Sequence, residues 1–293
     1  MNFGRMLTAM VTPFDKNLEV NYDMAAKLAE YLLEQGNDGI VVNGTTGESP
    51  TLNDDEKVQM FRTVKQTVGE RAVVIAGTGS NNTHHSIELT QKAAECGVDG
   101  IMLVVPYYSK PSQEGLYQHF KTVAAATDLP IILYNIPGRC GTNLAPETVV
   151  RLANDVPNIV AFKEASGNLD QSARLKTMCT ADFAIYSGDD SLTLPILSIG
   201  GAGIISVVAH VAGKDLRKMV DAYFAGNVAE AQEINMKLYD IFKTMFITSN
   251  PVPVKYALNR IGINVGGVRL PLFEANDAEK AKIDASLSNL GLL

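Results

Sequence analysis

The sequence lacks any apolar run that could span a bilayer, and it lacks the features of a secretory leader. A transmembrane helix needs about 20 consecutive apolar residues, and no segment of the 293-residue chain approaches that length. The first residues have too short an apolar core and no small-residue cleavage site for a signal peptide. We therefore expect a cytoplasmic protein that has no membrane partner.

Cysteine and clustered positive charge are also scarce. Three cysteines, Cys96, Cys140 and Cys179, are too few for a disulfide framework in a chain of this size, and we interpret Cys140 as a small packing residue. The net charge is −7 and the basic residues are dispersed, which argues against nucleic acid as a partner. An anionic small substrate stays compatible, because one local arginine can outweigh distant charges that salt screens.

The sequence also lacks the residues that several kinds of active site require. The chain has four histidines; three lie in helical patterns, and neighbours such as His84 and His85 do not share a helix face, so we expect no metal site. No predicted strand ends in a histidine for a Ser-His-Asp triad. No G-x-G-x-x-G motif opens the first helix, so no dinucleotide is expected.

What the sequence does contain is a repeated pattern of short apolar strand, polar turn and amphipathic helix. Parallel neighbouring strands need such crossover connections. A count of eight strands favours an α/β fold closed into a (β/α)8 TIM barrel, and an open doubly wound sheet is the alternative. The predicted strands are Met6–Val11, Gly39–Asn43, Ala72–Gly77, Gly100–Val105, Pro130–Asn135, Asn158–Lys163, Phe183–Ser187 and Gly203–Val207.

Helical patterns lie between these strands, and only helical patterns follow the last one. Asn53 and Ser112 are start signals for two of the helices. The glycines expected at helix ends or the next connection are Gly36, Gly69, Gly97 and Gly213. The patterns after strand 8 are Lys214–Phe224, Val228–Phe246, Val254–Ile261 and Asp277–Leu290. We therefore divide the chain into a catalytic barrel, 1–224, and a C-terminal helical domain, 225–293, which is a candidate oligomer surface.

The strand ends carry the candidate chemistry, because catalytic groups of barrel enzymes lie at the C-terminal ends of the strands. Lys163 ends an apolar strand, and burial would lower its pKa towards that of a free amine, a carbonyl nucleophile. Tyr134 lies on the same strand face as Ile132, and Lys163 shares its face with Ala161, so both can point inward on adjacent strands. The alternative for Lys163 is a side chain that reaches water or pairs with Glu164.

Hydroxyl groups and one guanidinium accompany this lysine. Thr45 and Thr46 lie between two glycines after strand 2, and this segment is either a functional loop or a mere tight turn. Arg139 follows strand 5 and suits a carboxylate, unless it only caps a surface. Tyr134 is either a proton shuttle or a core aromatic whose hydroxyl finds a backbone partner. Together the strand ends favour imine chemistry with a nucleophile, a proton shuttle and a carboxylate clamp.

These motifs closely resemble the 4-hydroxy-tetrahydrodipicolinate synthase family, also called dihydrodipicolinate synthases, within the class I Schiff-base aldolases. The similarity runs nearly from end to end, and Thr45-Thr46 with Arg139 is fairly specific within that superfamily. N-acetylneuraminate lyase and the 2-keto-3-deoxy sugar acid aldolases share the lysine and the tyrosine and supply the alternative function. The matching segments are 44–48, 106–115, 134–139, 160–164, 186–190 and 251–255.

The resemblance implies a (β/α)8 barrel with a C-terminal helical domain, assembled as a homotetramer built from two dimers. It implies condensation of pyruvate with L-aspartate 4-semialdehyde in lysine biosynthesis, with no cofactor beyond the pyruvate imine. By resemblance, Lys163 forms the imine, and Tyr134 transfers protons through Thr45 and through Tyr108 of a neighbouring subunit. The residues expected to bind substrate are Thr46 for the pyruvate carboxylate, Gly188 and Ile205 lining the pocket, and Arg139 for the carboxylate of the second substrate.

One group of residues departs from the family pattern. Lysine-inhibited members carry two histidines on the helix after the strand 2 loop and a glutamate on the helix after strand 3. The corresponding positions here are Asp54, Lys57 and His85. Lys57 would repel a lysine ligand, and His85 supplies no fixed negative charge, so we expect weak or absent feedback inhibition. The alternative is that these are solvated helix positions with no regulatory meaning.

Overall fold

The computed structural model of the chain describes residues 3–293. Its centre is a closed barrel in which each strand is parallel to the next along the chain and the last pairs with the first. Closure removes the open doubly wound sheet as an alternative and confirms the predicted barrel. The strands are β1 (Met6–Ala9), β2 (Gly39–Val42), β3 (Val73–Gly77), β4 (Gly100–Val104), β5 (Ile131–Asn135), β6 (Ile159–Glu164), β7 (Ala184–Ser187) and β8 (Gly203–Ser206).

Helices surround the barrel and continue past its last strand. Asn53 and Ser112 cap two of them through side chains that accept hydrogen bonds from backbone N–H groups, as their positions predict. The helices are α1 (Tyr22–Glu34), α2 (Asp54–Val68), α3 (Thr83–Glu95), α4 (Gln113–Ala124), α5 (Pro137–Cys140), α6 (Pro146–Asp155), α7 (Leu169–Met178), α8 (Thr193–Ser198), α9 (Ala209–Phe224), α10 (Val228–Thr244), α11 (Val252–Arg260) and α12 (Asp277–Asn289).

The prediction for α9 is wrong at its start. Gly213 was expected at a helix end, but it lies inside α9, just after a kink at Ala212. A Cβ on Gly213 would meet the Cβ of Gln35 at 2.6 Å, so the glycine allows α9 to approach the end of α1 closely. His210 therefore also lies in a helix. The short helices α5 and α8 are additional elements that the apolar pattern does not predict.

Two apolar layers enclose every strand. Inside the barrel, side chains such as Leu7, Val41, Ile132 and Ala161 form one buried cluster. The alternate residues of the same strands face the helices in a larger buried cluster. Because parallel strands in a barrel are covered on both faces, their sequences are continuous apolar runs. A polar side chain at the end of such a strand is therefore easy to recognise in the sequence.

The C-terminal helices α10, α11 and α12 are present as predicted. They pack on one another and on α9, and the segment between α10 and α11 reaches the C-terminal end of the barrel, where Asn250 contacts Thr46. The division at residue 225 stays a prediction. Within residues 3–293, each helix is too short or too polar to cross a membrane.

Candidate active site

Lys163 lies near the end of β6 with its ammonium group inside the barrel. It pairs in register with Tyr134 of β5, and its Nζ lies 4.2 Å from the centroid of the Tyr134 ring. Only 5% of Lys163 is exposed. Burial lowers the pKa of Lys163 to about 8, although the charge of Asp190 raises it and that of Arg139 lowers it further. In mildly alkaline solution a large fraction of the protein molecules therefore carries Lys163 as an unprotonated amine, the nucleophilic form.

Glu164 points to the opposite face of β6 and does not pair with Lys163. Its carboxylate accepts hydrogen bonds from Asn135 Nδ2 at 3.2 Å, Ser166 N at 2.7 Å and Gln171 Nε2 at 2.8 Å. Successive side chains of a strand alternate between faces, so adjacent residues cannot both enter the barrel. The alternative of a Lys163–Glu164 pair is wrong.

Tyr134 stands beside the lysine as a protonated phenol. It is 4% exposed and belongs to the cluster inside the barrel. Burial raises the pKa of Tyr134 to about 12, opposed by a hydrogen bond with Thr45 and by the charge of Arg139. A phenol held in this way can donate a proton and recover it, which is the requirement for a proton shuttle.

The loop after β2 holds Thr45 and Thr46 through a tight turn. The N–H of Gly47 donates to the carbonyl of Gly44 at 3.1 Å, and Thr12 Oγ1 donates to the carbonyl of Gly47 at 2.7 Å. Thr46 is 2% exposed. The turn brings Thr45 within hydrogen-bonding distance of Tyr134, and a functional role of the segment stays a prediction.

A cavity of about 520 Å³ opens at this end of the barrel. Thr45, Tyr134 and Arg139 line it, and the Nζ of Lys163 lies 4.2 Å from the centroid of the Tyr134 ring. Arg139 comes from α5, the single turn that begins at Pro137 directly after β5. Its exposed guanidinium can meet a carboxylate that enters from solvent.

Gly188 and Ile205 complete the surroundings of the amine. A Cβ on Gly188 would lie 3.1 Å from Lys163 Cε and 2.7 Å from the Cβ of Ala165, so a side chain there would force Ala165 to shift and would crowd the lysine. Ile205 is 1% exposed and lies inside the barrel on β8. Their assignment as pocket walls, which the family resemblance implies, stays a prediction.

Asp190 is a neighbour of Lys163 that the sequence analysis missed. It is 1% exposed and accepts hydrogen bonds from Ser206 Oγ and from the N–H groups of Val207 and Val208 at 3.1 and 3.3 Å. Burial raises the pKa of Asp190 to about 6 despite these donors. The sequence shows only a pair of aspartates after β7, and it does not indicate which one is buried.

Tyr108 does not join the other candidate residues within one chain. Its side chain is 90% exposed, and its backbone is left-handed with φ 73°. The preceding residue, Tyr107, lines the cavity instead. Tyr108 itself is not among the residues that line the cavity of its own chain.

The three positions that depart from the family pattern form one cluster on the other side of the cavity. Lys57 and His85 line the cavity, and His85 Nε2 lies 2.9 Å from Asp54 Oδ1. Lys57 and Lys92 are also within salt-bridge distance of Asp54, at 3.9 and 3.8 Å. Two ammonium groups thus share one carboxylate, which makes the cluster cationic.

Cys140 belongs to the apolar layer between strands and helices and is 4% exposed. Burial raises the pKa of its thiol to about 11. A thiol with a raised pKa is a poor nucleophile near neutral pH. The interpretation as a packing residue agrees with this position.

The chain is similar in sequence and in structure to proteins of known family. The model of the Dihydrodipicolinate synthetase family matches residues 2–290. The 4-hydroxy-tetrahydrodipicolinate synthase of Desulforamulus reducens is 59% identical, with 100% of this chain and 99% of that protein covered. The dihydrodipicolinate synthase of Cyanidioschyzon merolae, solved with lysine bound, superposes with a TM-score of 0.98 at 48% identity, covering 99% of each chain. The dihydrodipicolinate synthase of Bacillus anthracis superposes with a TM-score of 0.96 at 48% identity, covering 98% of each chain.

Proposed function

The chain belongs to the Dihydrodipicolinate synthetase family, and we propose that Lys163 is its catalytic nucleophile. The activity is that of a lyase that condenses pyruvate with L-aspartate 4-semialdehyde to give 4-hydroxy-tetrahydrodipicolinate in lysine and diaminopimelate biosynthesis. The names of its relatives favour this activity over cleavage of a sugar acid or N-acetylneuraminate. The family uses a pyruvate imine on a lysine and no metal or external cofactor.

The observation that carries the proposal for Lys163 is its burial beside a protonated phenol. The unprotonated Nζ attacks the ketone carbon of pyruvate to form a carbinolamine, which loses water to give the imine. Tyr134 supplies the proton that lets hydroxide leave as water, and it later takes up and returns the protons of enamine formation. The phenol pKa of about 12 keeps that proton in place at working pH.

Two further hydroxyl groups extend the proposed proton path. The first is that of Thr45, whose side chain forms a hydrogen bond with the Tyr134 hydroxyl within one chain. The second hydroxyl is that of Tyr108, which we assign to the site of a neighbouring subunit because it is exposed in its own chain. This assignment requires an oligomer, and we propose the homotetramer built from two dimers, in the cytoplasm.

Carboxylate groups of the two substrates have separate proposed partners. Thr46, buried beside Thr45 in the loop after β2, takes the pyruvate carboxylate. The proposed pocket walls are Gly188, where a Cβ would crowd Lys163 Cε and Ala165, and Ile205, which lies inside the barrel on β8. Arg139 lines the cavity and is exposed to solvent; it takes the carboxylate of L-aspartate 4-semialdehyde, because a guanidinium matches a carboxylate with two parallel hydrogen bonds.

Regulation by lysine is proposed to be weak in this chain. The cluster of Asp54, Lys57, His85 and Lys92 holds two ammonium groups for one carboxylate. A lysine side chain placed there would meet like charge. The dihydrodipicolinate synthase of Cyanidioschyzon merolae, which was solved with lysine bound, is a relative whose response to lysine can be compared directly with that of this chain.

Reductive trapping tests the proposed nucleophile. Borohydride added with pyruvate should fix one pyruvate-derived adduct on Lys163, as peptide mass spectrometry would locate it, and Lys163→Arg should give none. Lys176→Arg is the control, since Lys176 lies on α7 outside the barrel. Consumption of pyruvate with L-aspartate 4-semialdehyde, but not with N-acetylmannosamine or glyceraldehyde, is the expected specificity. An active enzyme without an adduct on Lys163 would overturn the proposal.

A further inference from the structure

Asn250 is a buried polar residue that touches two of the proposed substrate-binding residues. It lies between α10 and α11 and is 5% exposed. Its Nδ2 donates to Thr46 Oγ1 at 2.9 Å, and its backbone carbonyl accepts from Arg139 Nη2 at 3.5 Å. One residue of the C-terminal segment thus connects the two carboxylate-binding positions.

The contact with Thr46 decides what the threonine hydroxyl can do. A hydroxyl group has one proton to donate and two lone pairs to accept with. Because the Asn250 amide occupies a lone pair of Thr46, the proton of Thr46 is left for another acceptor. A carboxylate is an acceptor only, so a hydroxyl oriented as a donor is the form that can bind it.

A buried ion pair holds Asn250 close to the loop of Thr46. Lys255, in the first turns of α11, donates to Glu48 Oε1 at 2.7 Å and to the carbonyl of Gly267 at 2.6 Å. Glu48 ends the same loop as Thr46, and its second carboxylate oxygen accepts from the N–H of Arg269 at 3.0 Å. Both side chains of the pair are 2% exposed or less. The C-terminal segment is therefore attached to the loop at two points, Asn250 and Lys255.

Two unfavourable features persist at this junction. Glu48 has a left-handed backbone with φ 55°, a conformation that is unfavourable for a residue with a side chain. Asn250 Oδ1 is buried without a hydrogen-bond partner among the described residues. Strain of this kind is retained where the surroundings over-determine it, and it concentrates at functional sites.

We propose that Asn250 is a positioning residue for pyruvate recognition: its amide turns the Thr46 hydroxyl into a hydrogen-bond donor for the pyruvate carboxylate. The inference rests on the proposed function, since it requires Thr46 to bind that carboxylate. Asn250 acts through Thr46 and takes no part in proton transfer at Lys163. Its removal should weaken pyruvate binding and leave the chemistry of the imine in place.

A double-mutant cycle tests the inference. Asn250→Ala should raise the KM for pyruvate about five- to tenfold, the effect of one hydrogen bond, with kcat changed less than twofold. Thr46→Val should raise the same KM at least as much, and Asn250→Ala in the Thr46→Val background should add nothing. Asn250→Asp should raise KM more than Asn250→Ala, because a carboxylate accepts the Thr46 proton and turns the donor away from the substrate.

A matched control distinguishes positioning from general loosening. Asn259 also anchors the C-terminal segment, through Gly266 and Val265, but it does not contact Thr46. Asn259→Ala should leave the KM for pyruvate unchanged, with thermal unfolding of all variants recorded at one protein concentration. If Asn259→Ala raises the KM for pyruvate as much as Asn250→Ala does, the inference is overturned. It is also overturned if the double variant raises KM by the product of the two single-variant effects, because the two residues would then act independently. If the wild type instead forms no borohydride-trapped adduct with pyruvate, the proposed function itself fails and the inference with it.

Discussion

The Nζ of Lys163 lies 4.2 Å from the ring centroid of Tyr134, and the two residues pair in register on adjacent strands. A cation over an aromatic ring is normally stabilised, but burial outweighs this and brings the pKa of Lys163 to about 8. The pKa of Tyr134 moves the other way, to about 12. Between these values the amine is free while the phenol keeps its proton, so nucleophile and proton donor are available together.

We predict that imine formation follows the ionisation of Lys163. The rate of pyruvate trapping should rise about tenfold per pH unit below 8 and level off above it, because only the free amine attacks. Asp190→Asn should move the midpoint to lower pH, since the charge of Asp190 raises the pKa of Lys163. Stopped-time borohydride trapping across a pH series measures both effects.

The neighbouring aspartate supplies a matched control for that series. Asp189 is half-buried and accepts hydrogen bonds from the N–H and hydroxyl of Ser191, contacts that an asparagine retains. Asp189→Asn should keep the wild-type midpoint. A midpoint that stays in place for Asp190→Asn would remove Asp190 from the electrostatics of the amine.

Tyr134→Phe should slow turnover by about 10²–10⁴, the usual contribution of general acid–base catalysis. The ring stays, so Lys163 keeps its surroundings and pyruvate should still be trapped on it at long times. The measurement compares kcat with the final yield of adduct. Wild-type turnover in this variant would exclude Tyr134 from proton transfer.

Lys163→Met should abolish activity and stabilise the fold. Lys163 has a folded-state pKa of about 8 against an ordinary value of 10.5, so its contribution to stability is complete above 10.5 and is lost as the pH falls through 8. At pH 7 the buried charge costs up to about 3 kcal/mol, which methionine would recover. Urea unfolding at pH 7 and pH 10 should show the gain at pH 7 and a smaller one at pH 10.

Lys255→Met should have the opposite effect, although burial also brings the pKa of Lys255 to about 8. Its partner Glu48 would be left as an unpaired buried carboxylate, a loss of about 3–5 kcal/mol. Adding Glu48→Leu should restore most of the stability, because an apolar pair of similar volume replaces the ion pair. Unfolding free energies of the single and double variants check this, and equal stability of Lys255→Met and wild type would contradict it.

Lysine should inhibit this enzyme weakly. The reason is the cationic cluster of Asp54, Lys57, His85 and Lys92, which would repel the ammonium group of the effector. A variant with Asp54→His, Lys57→His and His85→Glu should become sensitive, because it removes one fixed cation and moves the single carboxylate of these three positions from residue 54 to residue 85. Initial rates at increasing lysine concentration decide the matter, and potent inhibition of the unaltered chain by submillimolar lysine would show the prediction to be wrong.

The barrel and its central residues follow from periodicity. Strands covered on both faces give uninterrupted apolar runs, so Lys163 and Tyr134 are conspicuous, and alternation along a strand places both inside the barrel. Gly188 and Ile205 are instead assigned by the family resemblance, because periodicity alone does not single them out. The wrong prediction concerns Gly213, where a close helix contact, rather than a helix end, requires a residue without a side chain.

Asn250 and Asp190 show what local pattern cannot give. Asn250 is 204 residues from Thr46 along the chain, and nothing in its own neighbourhood indicates a contact at the barrel mouth. Asp190 and Asp189 are adjacent and identical in type, yet only Asp190 is fully buried. Which of two like residues is buried depends on tertiary packing, here on the start of α9 behind β8.

The attachment of the C-terminal segment to the loop after β2 also bears on how the enzyme is made. A nascent chain that has emerged as far as Ser206 carries all eight strands, Lys163 and Tyr134, but it still lacks Asn250 and Lys255. The loop formed early in translation must therefore wait for residues made some two hundred codons later, and such distant contacts form late in folding. A chain that ends before α11 therefore has the loop of Thr46 without either attachment, so the order of synthesis delays the final placement of the threonine proposed to bind pyruvate until translation has passed α11.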